Sequence, residues 1–170
     1  MSAMADYSPR TMIVADLAPG RFQMRAVAII RRDGHVLVHK ATHETFWSLP
    51  GGRVEFGETA AETIEREIAE ELGCAAKIGP LRFLVENFFN YNDNPCHEIG
   101  WYYEAELASE FPFLTDAICH RHAEEDYDLE FRWVRCDAEA FGVYRLLPPM
   151  LPAQLCDPSP GFRHIVERQR

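Results

Sequence analysis

Residues 52–74 constrain this chain more than any other stretch. They read Gly-Arg-Val-Glu-Phe-Gly-Glu-Thr-Ala-Ala-Glu-Thr-Ile-Glu-Arg-Glu-Ile-Ala-Glu-Glu-Leu-Gly-Cys: a glycine turn, a short acidic segment, and a closing glycine. Thr59, with Glu62 three residues on, makes a capping box. Gly73 suits the left-handed position just past a helix end. The spacing therefore predicts a helix over 60–72. Ala61, Ile64, Ile68 and Leu72 recur as one apolar stripe, and Glu67, Glu70 and Glu71 share the neighbouring face at i, i+3 and i+4. One turn earlier on that face stand the small Ala60 and Thr63, which are expected to leave room beside the carboxylates.

Such a helix is locally unfavourable. Like charges at i,i+4 repel by a few tenths of a kcal/mol. Carboxylates in the last turn oppose the helix dipole by roughly 0.3–1 kcal/mol each. Arg66 alone offsets them from within the helix. A bound divalent cation would reverse the sign of each of these effects. Clustered oxygen donors without His or Cys suit a hard ion, Mg²⁺ or Mn²⁺. A solvated acidic face is the commoner use of a glutamate-rich helix, and the carboxylates alone leave both readings open.

The whole stretch resembles the signature of the Nudix hydrolases, G-x5-E-x7-R-E-U-x-E-E-x-G-U, where U is aliphatic. Gly52, Glu58, Arg66, Glu67, Ile68, Glu70, Glu71 and Gly73 match in register. The last position is Cys74, and a buried free cysteine behaves as a small hydrophobe. Leu49-Pro50-Gly51 extends the resemblance upstream.

Length and charge set outer limits. A chain of 170 residues suits one domain, expected over 21–170 behind an N-terminal arm at 1–20. Lys+Arg 17 against Asp+Glu 27 give a net charge of −10, which disfavours duplex nucleic acid and anionic membrane as partners. Cys74, Cys96, Cys119, Cys136 and Cys156 are odd in number and lack a C-x-x-C pair, which points to the cytoplasm. Neither a secretory leader nor a bilayer-spanning stretch is read from the sequence. Cys119, His120 and His122 lie close together, but their spacing fits no common zinc site.

Taken in order, 12–14 could add an edge strand, and 22–31 reads as a central strand with both faces partly apolar. Asp33-Gly34 signals a hairpin returning through 35–40, followed by a loop at 41–45. The Pro50-Gly51-Gly52 run permits a tight turn and close backbone approach. Extended segments are expected at 75–77 and 81–89, broken at Gly79-Pro80, with a turn at 90–95. Over 98–107, Ile99, Trp101, Tyr103, Ala105 and Leu107 form one face, and Glu98, Tyr102, Glu104 and Glu106 the other. A long loop at 108–128, a strand at 129–134, short helices near 137–141 and 149–155, and a last strand at 163–167 complete the reading. The pattern alone gives a mixed α/β or α+β class. The resemblance implies an α/β/α sandwich around a mixed β-sheet.

The resemblance also implies chemistry. Nudix enzymes hydrolyse a nucleoside diphosphate linked to a second moiety, with metal ions assisting attack of water on phosphorus. It makes Glu67, Glu70 and Glu71 the metal ligands, joined by the Gly51 carbonyl. Glu58 either binds a metal through water or pairs with Arg66, which orients the carboxylates. The general base is first Glu70, then Glu124 or Glu125 on the long loop, then Glu98, itself read as a surface strand residue. Phe46, Trp47, Phe88, Phe89, Tyr91 and Tyr102 could stack a base; Arg25, Arg31, Lys40 and Arg53 could touch phosphate. Family subtypes differ downstream of the signature: Asn90 stands where ADP-ribose types favour Pro, and Tyr91 is near where diadenosine polyphosphate types favour Tyr. Diadenosine polyphosphate, ADP-ribose and modified nucleoside triphosphates are the candidate substrates. A homodimer is left open, and the alternative is a Nudix-like nucleotide sensor without catalysis.

Overall fold

The architecture grows outward from β2 (Arg21–Arg32). Residues 26–30 of this strand are buried on both faces, as its two-sided apolar pattern requires. The structure, a computed structural model, describes residues 10–108, 110–159 and 161–169. Around β2 stand β1 (Val14–Asp16), β3 (His35–Ala41), β4 (Gly51–Arg53), α1 (Ala60–Leu72), β5 (Ala76–Tyr91) and β6 (Asn94–Leu107). Then come β7 (His120–Ala123), β8 (Asp128–Arg135), α2 (Ala138–Val143), α3 (Leu151–Cys156) and β9 (Arg163–Arg168).

The sheet runs β7-β8-β3-β2-β6-β5-β9, with β1 and β4 also pairing with β2. The β2–β6 and β5–β9 pairs are parallel and the others antiparallel, so the sheet is mixed. β2 meets β3 only at its end, through Arg31↔Val36 and Arg32↔His35. Beyond that point the two strands part, and β4 occupies the wedge, pairing Arg25↔Arg53, Ala26↔Gly52 and Val27↔Gly51. The split presents the glycine turn to the middle of the sheet.

Two cores form the layers. Ile64, Ile68 and Leu72 of α1 pack on Ala26, Ala28, Ile30, Leu37, Phe131 and Trp133. On the opposite face Val27, Ile29, Val36, Val38, Phe83 and Val85 meet Phe141 of α2 and Leu151 and Leu155 of α3. This is the expected α/β/α sandwich with a mixed sheet. Burial of each large aliphatic chain contributes roughly 1.5–3 kcal/mol.

Several boundaries differ from the sequence reading. Gly79-Pro80 does not break β5; the strand runs through with register shifts at Ile78/Leu81 and Leu81/Phe83, an irregularity that absorbs a proline lacking its N–H. The turn expected at 90–95 shrinks to Asn92 and Asp93, with φ of 50° and 60°, while the flanking residues pair. The long loop at 108–128 contains β7, which pairs with β8. The glycine turn itself carries strand β4. The arm at 1–20 is not wholly loose: β1 pairs antiparallel with β2, slightly later than the 12–14 expected, and Met12 bridges Glu55. The part of the arm at 1–9 lies outside the described residues. Among the described residues, no helix is long and apolar enough to cross a membrane.

Candidate active site

The N-terminal half of α1 is tied by paired polar groups. Thr59 accepts from the Glu62 backbone N–H, and Glu62 accepts from the Thr59 N–H at 2.7 Å, closing the capping box. Arg66 grips Glu58 bidentately, Nε to Oε1 at 2.8 Å and a terminal nitrogen to Oε2 at 3.0 Å. Thr63, fully buried, donates to the same carboxylate at 2.9 Å. The Arg66 bond is the main cause holding Glu58 below the ordinary carboxylate range. So Glu58 pairs with Arg66, and its carboxylate fills the space that Thr63 was expected to leave open.

The C-terminal half is crowded with unlike burdens. Glu67 accepts from Arg66 at 2.7 Å and lies against the backbone of Gly52, where a Cβ would stand 2.0 Å from its Oε1. A side chain at this position would displace the Glu67 carboxylate. Glu70 is the most exposed of the three glutamates, its side chain 40% accessible; it accepts from Arg10 at 2.6 Å and from Arg66 at 3.4 Å. Glu71 is buried. Burial first, then the charge of Glu67, pushes its carboxyl up to about 8; Glu124 and Glu70 add to this and Arg25 opposes it. The last turn carries no basic residue, and Gly73 ends the helix at φ 65°.

Gly51 has φ 148°, and a Cβ there would stand 2.1 Å from the Ala26 carbonyl. This close pairing explains the second glycine. Its carbonyl accepts from Arg25 at 3.0 Å, which ties Arg25 to the site. Behind Glu71, His39 is buried with its Nδ1 4.0 Å from Glu71 Oε2 and without a hydrogen-bond partner. Burial first, and the nearby Arg25 second, lower its pKa to about 3, so the imidazole is neutral. A buried orphan polar atom costs roughly 1–3 kcal/mol.

These residues fit a hard cation. Three carboxylates and a carbonyl supply oxygen donors only. Crowded acids and an orphan imidazole at their back are what an added positive charge would relieve. Among the described residues, no group of three or more His, Cys, Asp or Glu side chains already converges as a metal cage. Glu58, Glu67 and Glu70 turn toward Arg66 instead.

The other candidates scatter. Glu124 and Glu125 lie in the turn joining β7 to β8; Glu124 faces Glu71 closely enough to raise its pKa, and its Oε1 is 3.4 Å from His122. Glu98 is not on the surface. It is 6% exposed and accepts from Gln23, because both faces of β6 are covered. Arg31 bonds Cys136 and the Leu155 carbonyl, away from α1, and Lys40 lies over the Trp47 ring. Arg53 reaches Gln23. Trp47 and Tyr102 are core residues, and Phe88 stacks on His97. Tyr91 is 42% exposed and donates to Glu44 at 3.0 Å. Cys119, His120 and His122 diverge: they contact the Phe131 carbonyl, the Glu71 carbonyl and Glu124 respectively.

Sequence reasoning missed His39 and Glu55, and weighed His120 only as a zinc ligand. Glu55, 8% exposed, lies 3.7 Å from Arg66. His120 Nε2 is 2.8 Å from the Glu71 carbonyl oxygen. His39 was findable: strand alternation puts it with Leu37 and Ala41, both in the α1 core.

Comparison with known proteins agrees with this geometry. The family described as the NUDIX domain matches residues 22–152. The chain is 39% identical over 82 residues to an ADP-ribose pyrophosphatase of Methanocaldococcus jannaschii, covering 44% of this chain and 48% of that protein. It is 29% identical over 119 residues to an RNA pyrophosphohydrolase of Aeromonas hydrophila, covering 64% and 66%. The chain spans about half the length of the first curated relatives it matches. A NUDIX hydrolase structure from Nitrosomonas europaea superposes with a TM-score of 0.58 at 14% identity, covering 99% of this chain and 100% of that one; at that identity it speaks for the fold alone.

Proposed function

The chain belongs to the NUDIX domain family, and on that premise we propose that it is a divalent-cation-dependent pyrophosphohydrolase acting on a small nucleoside diphosphate linked to a second moiety. The observation that carries this reading is Glu71, buried and pushed up to about 8 beside Glu67 at the unfavourable end of a helix. Strain of this kind marks functional sites.

Glu67, Glu70, Glu71 and the Gly51 carbonyl would hold Mg²⁺ or Mn²⁺. When bound, the ion supplies charge neutralisation for the diphosphate and a lowered pKa for water. The protein's own residues do the rest. Arg66 fixes Glu58 and Glu67 and so sets the angle of the acidic face. Glu70, with its side chain 40% accessible, is our first candidate to take a proton from the attacking water. Glu124, whose charge acts on Glu71, is the second candidate base. Arg25, on the Gly51 carbonyl, brings a cation beside the place where phosphate would lie.

The named activities of the relatives support ADP-ribose and nucleoside triphosphates as substrates; diadenosine polyphosphate rests on Tyr91 alone. The five cysteines are unpaired, which supports a reducing, cytoplasmic setting. Residues 21–170 are taken as the catalytic unit. The test is incubation with Mg²⁺ and a panel of these compounds. Cation-dependent release of two phosphorylated products is expected. Ligand bound and recovered unchanged would make the protein a sensor; no effect of cation would overturn the reading.

A further inference from the structure

Resting on the cation-site reading above, we propose that His39 is a positioning residue for Glu71: in the cation-loaded site its Nδ1–H donates to Glu71 Oε2, leaving the other carboxylate oxygen to the ion.

The backbone of His39 is fixed by two hydrogen bonds to Ser48, N–H to O at 2.8 Å and O from N–H at 2.9 Å. Its ring packs against Phe131, centroids 5.4 Å apart. Phe131 is the register partner of His39 on β8 and is itself fully buried. The imidazole therefore has little freedom to turn elsewhere. It stands 6% exposed with Nδ1 unpaired, 4.0 Å from Glu71 Oε2. That separation is about 1 Å beyond a hydrogen bond. A carboxylate only accepts, so the nitrogen that meets it carries the hydrogen.

Other groups near Glu71 are engaged. Arg66 holds Glu67, and Arg25 is spent on the Gly51 carbonyl. From β7, His120 reaches the Glu71 carbonyl oxygen at 2.8 Å and also packs against Phe131, centroids 5.7 Å apart. Glu71 is thus bracketed, main chain by His120 and side chain by His39. Outer partners of this kind orient ligating groups and change metal affinity by about 10–100-fold when removed.

The test uses the full chain. Mn²⁺ binding, followed by calorimetry or by electron paramagnetic resonance of the free ion, is compared for wild type, His39→Leu and His39→Asn. Asparagine places an amide N–H near the position of Nδ1; leucine fills similar space without a donor. Leucine is expected to weaken Mn²⁺ binding by about tenfold or more. Asparagine is expected to stay within about threefold of wild type and so to rescue the donor. Equal affinity of the leucine variant and wild type overturns the proposal, as does equal weakening by both variants. Should the leucine variant fail to fold, ¹⁵N resonances of wild-type His39 with saturating Mg²⁺ decide. A protonated Nδ1 supports the proposal and an unprotonated one overturns it. Wild type that binds no divalent ion at all overturns the cation-site reading itself and this inference with it.

Discussion

At the start of α1, Thr59 and Glu62 cap each other, and Glu58, Thr63 and Arg66 close a bonded cluster. At its end, Glu67, Glu70 and Glu71 crowd together, the last turn lacks a basic residue, and the nearby His39 nitrogen is unpaired. Both halves rest on the same apolar stripe, Ile64, Ile68 and Leu72. The first half stabilises the helix whatever is bound. The second opposes the helix dipole, and Arg66 and Arg10 offset part of its charge. The contrast separates residues that stabilise the helix from residues proposed for chemistry, although both groups belong to one short helix.

The sharpest break of that contrast is Glu70→Gln. Glutamine keeps the shape but cannot take a proton or carry the charge. The Mg²⁺-dependent turnover is expected to fall by about 10³-fold or more, which is roughly 4 kcal/mol of barrier, with the melting temperature little changed. A rate within tenfold of wild type would refute Glu70 as base. The next effect is opposite in kind. Ile68→Ala removes a side chain that is 1% exposed beneath the acidic half. It should cost about 3 kcal/mol of stability, read as a lower urea midpoint. If both variants lost activity and stability in proportion, the division between the halves would be wrong.

Glu58→Ala probes the paired half. Loss of the bidentate Arg66 bond and the Thr63 bond should cost about 2 kcal/mol. Its pH dependence has a definite sign. The folded-state pKa of Glu58 lies below its ordinary 4.5, chiefly through Arg66. Its contribution is therefore complete above about pH 4.5 and is lost as pH falls through the lowered folded value. Thermal melts of wild type and variant should differ most near neutrality and converge in acid. A gap that widened on acidification would mean that Glu58 is not ion-paired.

How much of this was legible beforehand depends on how local the cause is. The helix bounds, its capping box and its αL glycine all follow from short-range rules, and the structure has them at the predicted residues. So does the Asp33-Gly34 hairpin, with both residues at positive φ. The pairing of Glu58 with Arg66 was one of two options, and distance along a helix could not choose between them. Causes that act across the sheet stayed hidden. Glu98 reads as a polar residue on an alternating strand, yet that residue is buried and Gln23, its register partner on β2, meets it. β7 has no apolar alternation of its own; it exists because β8 offers an edge. His39 lies in a strand that was read correctly, but its importance depends on which helix face lands above it. The individual ligand roles rested on the family resemblance, since from spacing alone a solvated acidic face was the commoner reading.

The smallest expected effect sharpens the comparison from the other side. If the end of α1 is short of positive charge, a lysine placed there but off the acidic face should stabilise the helix without a bound ion. Ala69 is exposed, one turn after the exposed Glu65. Ala69→Lys puts a cation in the last turn and makes a Glu-to-Lys pair at i,i+4, together worth about 0.5 kcal/mol. In a chain of this length that is roughly 1–2 °C in melting temperature. The gain should shrink in high salt, because both contributions are exposed and screened. A melting temperature that did not rise, or a rise that persisted undiminished in high salt, would mean that the polarity of this helix is not what the lysine reads.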